Sequence, residues 1–264
     1  MLNKFIFPQD KKIFNEVWVL ALPVIVSNLS RVLMSLVDVA MVGRLGPEAL
    51  AAAGMGGMLV WGALSIMLGV RTSVQTVSSR RLGQNKTKEC IKALNNGFIM
   101  ASIYSVPVSM LCWFFGFIII PLFVIDEITT PLAISYFSIS SLGLFFNSIS
   151  FVFQGFFTGI EKTKVLLSVT ISSNIINVYF NIGLIYGKNF ISKISVDHLG
   201  EFFDISVFWF WAKFDGFGVT GAAIGTLIAS AWMMFHYYIY LNRQEIIKNN
   251  KGVTNVCFDK NRLI

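Results

Sequence analysis

Residues 20–53 read LALPVIVSNLSRVLMSLVDVAMVGRLGPEALAAA. The stretch starts as an apolar helix with an early proline, Pro23, and carries a carboxylate, Asp38, most of the way along. It ends in a Gly-Arg-Leu-Gly-Pro turn before a second apolar run begins. A run of about 20 apolar residues, at 1.5 Å rise each, crosses the hydrocarbon of a bilayer. An acid inside such a run costs several kcal/mol unless it faces a cavity or a partner. Asp38 is therefore the first residue to be explained.

Working outward, the same kind of run recurs along the chain. The 264 residues are 55% hydrophobic and only 13% charged, whereas soluble domains carry roughly 25% charged residues. The apolar excess is gathered into long uninterrupted runs. The expected fold class is thus all-α: a polytopic membrane protein with six transmembrane helices and no separate soluble domain. The runs place these helices at about 17–43, 51–77, 94–120, 131–157, 165–187 and 217–241, with a polar, basic tail at 242–264. Within those six ranges Asp38 is the sole acid. Residues 1–16 are mixed polar and do not resemble a cleaved signal peptide.

A net charge of +7 would point to nucleic acid in a soluble protein. Here the positive-inside rule accounts for it. With a cytoplasmic N-terminus, fifteen Lys and Arg residues fall on inner segments and four on outer ones. That distribution places both termini in the cytoplasm, with the helices in the plasma (inner) membrane. Nothing resembles an enzyme site: there is no nucleotide loop and no Ser/His/Asp grouping. Cys90, Cys112 and Cys257 lack metal or disulfide spacing, and His198 and His236 lie far apart. No catalysis, metal, cofactor or nucleic-acid partner is expected.

The polar residues inside the first run are not scattered. At about 100° per residue from Asp38, Ser27 falls near −20°, Arg31 near +20°, Ser35 near +60° and Asn28 near +80°. One arc of roughly 100° holds them all, so it should face protein or a water-filled cavity. The fifth run repeats the pattern with Thr170, Ser173, Asn174, Asn177 and Asn181 on one arc. Amide oxygens and hydroxyls beside a carboxylate suit a hard cation such as Na⁺. They are equally good at hydrogen bonding between helices, and both readings stand for the asparagines. For Asp38 the functional reading is preferred, since a carboxyl held away from water is suited to exchanging a proton or cation. Arg31 is expected to make a partial ion pair with Asp38 or to snorkel inward, and Arg71 to snorkel at the inner end of its helix.

Glycines mark expected close packing: Gly218, Gly221 and Gly225 in the sixth run, beside Thr226, and Gly54, Gly56 and Gly57 in the second. The stretch FFDISVFWFWAKF, 202–214, is aromatic but too short to span, and is expected at the outer interface with Trp209 and Trp211.

These residues also carry a resemblance. Residues 20–52 resemble the first helix and first turn of the multidrug and toxic compound extrusion (MATE) transporters. SSRRLGQNKTKECIKA is similar to their loop after helix 2, and FQGFFTGIEKTKVLL to their helix 4 to 5 corner. NVYFNIGLIYG resembles the end of their helix 5 and GVTGAAIGTLIAS the start of their helix 6. Five such motifs stand in register over most of residues 14–241.

The resemblance implies cation-driven antiport, with Na⁺ or H⁺ entry driving export of amphipathic, often cationic, compounds. It assigns the coupling acid to Asp38 and the helix 5 pair to Asn177 and Asn181, where the family's second residue is an acid. The helix 6 hydroxyl corresponds to Thr226. Ser27, Arg31, Ser35, Thr170, Ser173 and Asn174 are then candidate lining of a polar cavity. Family members resemble two six-helix lobes around a central cavity, and this chain corresponds to the first, with 242–264 like the start of the linker. A second six-helix lobe or a homodimer partner is expected, because a lone lobe has nothing to rock against. The alternatives are a lipid-linked oligosaccharide flippase-like protein, or a non-transporting membrane subunit or truncated remnant.

Overall fold

The computed structural model describes residues 11–188, 209 and 214–244. Six long helices follow one another: α1 (Lys11–Gly43), α2 (Pro47–Gly83), α3 (Thr87–Ile119), α4 (Thr129–Gly159), α5 (Lys164–Asn181) and α6 (Val219–Arg243). A 3₁₀ turn, Ile120–Leu122, ends α3, and a π turn, Ile182–Tyr186, extends α5. All six are long and apolar enough to cross a membrane. The polar tail beyond 244, His198, Cys257 and Trp211 lie outside the described residues.

Two helices depart most from the lengths read off hydropathy. α2 runs to Gly83 rather than 77, and α3 starts at Thr87 rather than 94. Hydropathy measures the apolar span, but a helix continues into water wherever its polar residues favour it. α2 opens with Pro47 at its first position and Glu48 in its first turn and closes with Arg80 and Arg81, complementing its dipole at both ends. The start of α3 is amphipathic. Cys90, Ile91, Leu94 and Gly97 are buried on one side, while Glu89 and Lys92 pair at 3.3 Å on the other. The added turns bring Glu16, Glu48 and Glu89 into helices, all outside the apolar ranges.

α4 is the central element. Ser148 through Phe157 are all buried, as befits a helix apolar on every side. α2, α3 and α6 pack around it, and α1 reaches the bundle chiefly through α5. Glycines set the closest approaches. A Cβ on Gly155 would strike the backbone carbonyl of Arg71, and one on Gly159 would come within 2.7 Å of the Gln75 carbonyl. A Cβ on Gly97 would sit 2.5 Å from Val74. Lipid tails are as apolar as this core, so such packing, rather than escape from water, holds the helices together.

The glycine expectation is half corrected. In α2 only Gly56 packs closely, against Tyr136, whereas Gly54 and Gly57 face open space. On α6, Gly221 lies against the carbonyl of Leu184 and Gly225 against the side chain of Asn181. Gly218 instead serves the turn into α6, with φ +57°.

Candidate functional site

α1, α5 and α6 bring Asp38, Asn177, Asn181 and Thr226 together. Asn181 Nδ2 donates to Asp38 Oδ1 at 2.8 Å and to Asn177 Oδ1 at 3.0 Å. Asn177 Nδ2 reaches Thr226 Oγ1 at 3.4 Å. Asn177 and Asn181, one helical turn apart, point the same way, and Asn181 is fully buried. Gly225 on α6 lets Asn181 fit, since any side chain there would occupy the space of its amide oxygen. That oxygen accepts no hydrogen bond. The π turn begins at the next residue, and π turns recur where a helix is adjusted around a site. Asp38 Oδ1 and Asn177 Oδ1 thus share one amide donor, and Thr226 closes the run at its other end.

Towards their N-terminal ends α1 and α5 are pinned by further polar contacts. Ser27 and Thr170 share a hydrogen bond at 2.7 Å. Asn174 donates to the Ser30 hydroxyl at 2.8 Å and to its carbonyl at 3.1 Å. Ser173 donates to the Ala229 carbonyl on α6 at 3.0 Å. These three residues of α5 therefore act as helix-to-helix bonds.

The polar arc predicted for α1 is divided by the structure. Ser27 is buried, Arg31 and Asp38 are half-buried, and Ser35 and Asn28 are exposed. The inward face is centred on the other side of Asp38, so Ser30, about −80° away and absent from the predicted arc, is the residue that meets α5. Arg31 does not pair with Asp38. Its guanidinium donates to Gln154 Oε1 on α4 at 3.4 Å. Gln154 escaped the sequence reading, although a single glutamine inside FVFQGFF was a visible signal. Trp209 rests on the end of α5: its indole donates to the Tyr179 carbonyl at 2.8 Å and stacks on that ring. Among the described residues no group of three or more His, Cys, Asp or Glu side chains assembles a metal site.

Six helices long and apolar enough to span a membrane, with a carboxylate held by an amide on a neighbouring helix, define a polytopic integral membrane protein. The chain belongs to the MatE family, whose family model matches residues 23–182. A relative from Photorhabdus laumondii, named "Probable multidrug resistance protein NorM", is 27% identical over 219 residues, covering 81% of this chain and 43% of the relative. A MATE protein solved in complex with MaL6 superimposes with a TM-score of 0.73 at 19% identity, over 88% of this chain and 46% of that one. An outward-facing multidrug resistance MATE family transporter gives 0.70 at 18% identity, over 94% and 48%. These likenesses show the fold, and the chain spans less than half the length of the relatives it matches.

Proposed function

We propose that this chain is the N-terminal six-helix lobe of a cation-coupled antiporter. In this reading Asp38 accepts the coupling ion, H⁺ or Na⁺, while Asn177, Asn181 and Thr226 orient its carboxylate or add oxygen ligands. Amphipathic, often cationic, compounds leave in exchange, across the inner membrane with both termini in the cytoplasm. The observation that carries the proposal is the hydrogen-bonded run Asp38–Asn181–Asn177–Thr226 across three helices. The relative's name, a multidrug resistance protein, supports the substrate class.

A second lobe is needed for alternating access, and α2 supports its existence. Gly62, Ser65, Gly69, Thr72, Thr76 and Ser79 share one exposed arc of α2 roughly 100° wide. Four of them carry hydroxyls, and those of Ser65, Thr72 and Ser79 fold back onto carbonyls of their own helix, which leaves a smooth surface of small residues. Such surfaces meet other helices rather than lipid. The test is dye efflux from vesicles containing this chain, with and without a second six-helix lobe, under imposed H⁺ and Na⁺ gradients. Gradient-driven efflux only in the presence of the second lobe is expected. Efflux that ignores both gradients would overturn the proposal.

A further inference from the structure

The two ends of the bundle differ in charge. Among the described residues the α2–α3 corner carries Arg80, Arg81, Lys86, Lys88 and Lys92 against one acid, Glu89. The opposite end carries Arg44 and Lys188 against Glu48, Asp126, Glu127 and Asp215. Glu89 is taken by Lys92 at 3.3 Å. No carboxylate among the described residues lies within 4.0 Å of Arg80, Arg81, Lys86 or Lys88.

The corner also stands at a particular depth. The apolar runs end at 77 in α2 and begin at 94 in α3, whereas the helices themselves extend to Gly83 and from Thr87. At 1.5 Å per residue, Arg80 and Arg81 lie about 5–6 Å beyond the hydrocarbon and Lys88 about 9 Å. The headgroup layer is about 5–8 Å thick on each side of a bilayer. The arginines are thus level with lipid phosphates, and a lysine stem reaches back to them. The α4–α5 corner projects less, since α4 ends at Gly159 and α5 starts at Lys164, close to their apolar limits.

The α2–α3 corner is a fixed turn. Asn85 takes the left-handed region at φ +56°, its N–H bonds to the Leu82 carbonyl at 2.8 Å, and that of Lys86 to the Arg81 carbonyl at 2.9 Å. Cys90, Ile91 and Leu94 anchor the start of α3 in the buried core. The turn borders a cavity of about 460 Å³ lined by Arg81, Asn85, Lys86, Thr87, Lys88 and Glu89. Arg81 gives one N–H to Gln84 Oε1 at 3.0 Å, and a guanidinium has five, so donors remain.

We propose that this cavity binds the phosphate of an anionic phospholipid headgroup, with Arg81, Lys86 and Lys88 as its cationic ligands. The planar fork of Arg81 suits two phosphate oxygens, and the two lysines add charge. Clustered bases just outside a spanning helix recognise anionic lipid in this way, and the depth of the corner favours a headgroup over free phosphate. The site rests on the chain spanning a membrane and not on Asp38 coupling transport.

The test is thermal unfolding of the purified full chain in neutral detergent. It is titrated with short-chain phosphatidylglycerol, short-chain phosphatidylcholine or inorganic phosphate at equal ionic strength. A saturable rise in melting temperature with phosphatidylglycerol alone is expected. In the double variant Lys86→Gln/Lys88→Gln the half-saturating concentration should rise about tenfold or more. Lys162→Gln/Lys164→Gln removes the same charge from the neighbouring α4–α5 corner and should change it far less. All four lysines are exposed, so neither variant disturbs the packed core. Equal losses in the two variants would mean diffuse charge and overturn the site. So would an equal rise with phosphatidylcholine, a rise with inorganic phosphate alone, or no saturable rise at all.

Discussion

Asn181 Nδ2 lies 2.8 Å from Asp38 Oδ1, joining residues 143 positions apart in sequence. The same amide nitrogen serves Asn177, so a change of charge on Asp38 acts directly on the α5–α6 contact. Under the proposed function, a proton or cation on Asp38 would make its oxygen a weaker acceptor and free Asn181 to favour Asn177, linking ion binding to the contact between helices.

Asn181→Ala removes the donor but leaves the acid. The assembled transporter should keep dye binding and lose most gradient-driven efflux, with Asn181→Asp restoring more than Ala does. Efflux rates at fixed gradients, compared with dye affinity in detergent, check this.

The two kinds of glycine should behave in opposite ways. Gly221→Ala and Gly155→Ala each drive a methyl into backbone of a neighbouring helix, where overpacking costs roughly 1–3 kcal/mol or more. Gly54→Ala and Gly57→Ala face open space inside α2 and should be neutral or stabilising, by up to about 1 kcal/mol. Thermal unfolding in detergent separates the pairs.

Ser27→Ala and Thr170→Val each break one buried hydroxyl contact, 2.7 Å long, between α1 and α5. Bonds of this kind in membranes are worth about 0.6 kcal/mol and at most about 2. A double-mutant cycle should give a coupling energy in that range, and one near zero would mean the two hydroxyls find other partners.

Outside the membrane, Asp126 accepts from the Thr129 hydroxyl at 2.6 Å and from its backbone N–H at 2.8 Å, just before α4. The hydroxyl first, then the amide, holds its carboxyl below the usual aspartate range. A group whose folded pKa is lowered contributes stability above its unfolded pKa and loses it as pH falls through the folded one. Protection of the Thr129 and Thr130 amides from exchange, relative to the intrinsic rate, should therefore fall only as pH drops below the aspartate range, and Asp126→Ala should lower it throughout.

Much of this was legible in the chain itself. Six apolar runs gave the six helices, and angular position put the polar residues of the first run on one arc and those of the fifth on another, while the family resemblance joined Asp38 to Asn177, Asn181 and Thr226. Helical phase set from one residue, however, does not say where the inward face is centred. That is why Ser35 and Asn28, placed on the polar arc, are exposed, while Ser30 meets Asn174. The partner of Arg31, Gln154, comes from α4, far away in sequence, and no local pattern pairs them. Gly54, Gly56 and Gly57 are indistinguishable by type, and only the position of Tyr136 separates them. Asn147 and Ser230, bonded at 3.0 Å between α4 and α6, were likewise hidden by distance in sequence.

The most direct test of the account is cation release on dye binding, measured with the assembled two-lobe transporter in detergent. Adding a cationic dye to the wild type should expel a proton or a sodium ion, read by a pH indicator or a sodium electrode. Asp38→Asn should bind the dye and release neither. Release of the same size from Asp38→Asn would contradict the assignment of the coupling site to this carboxylate.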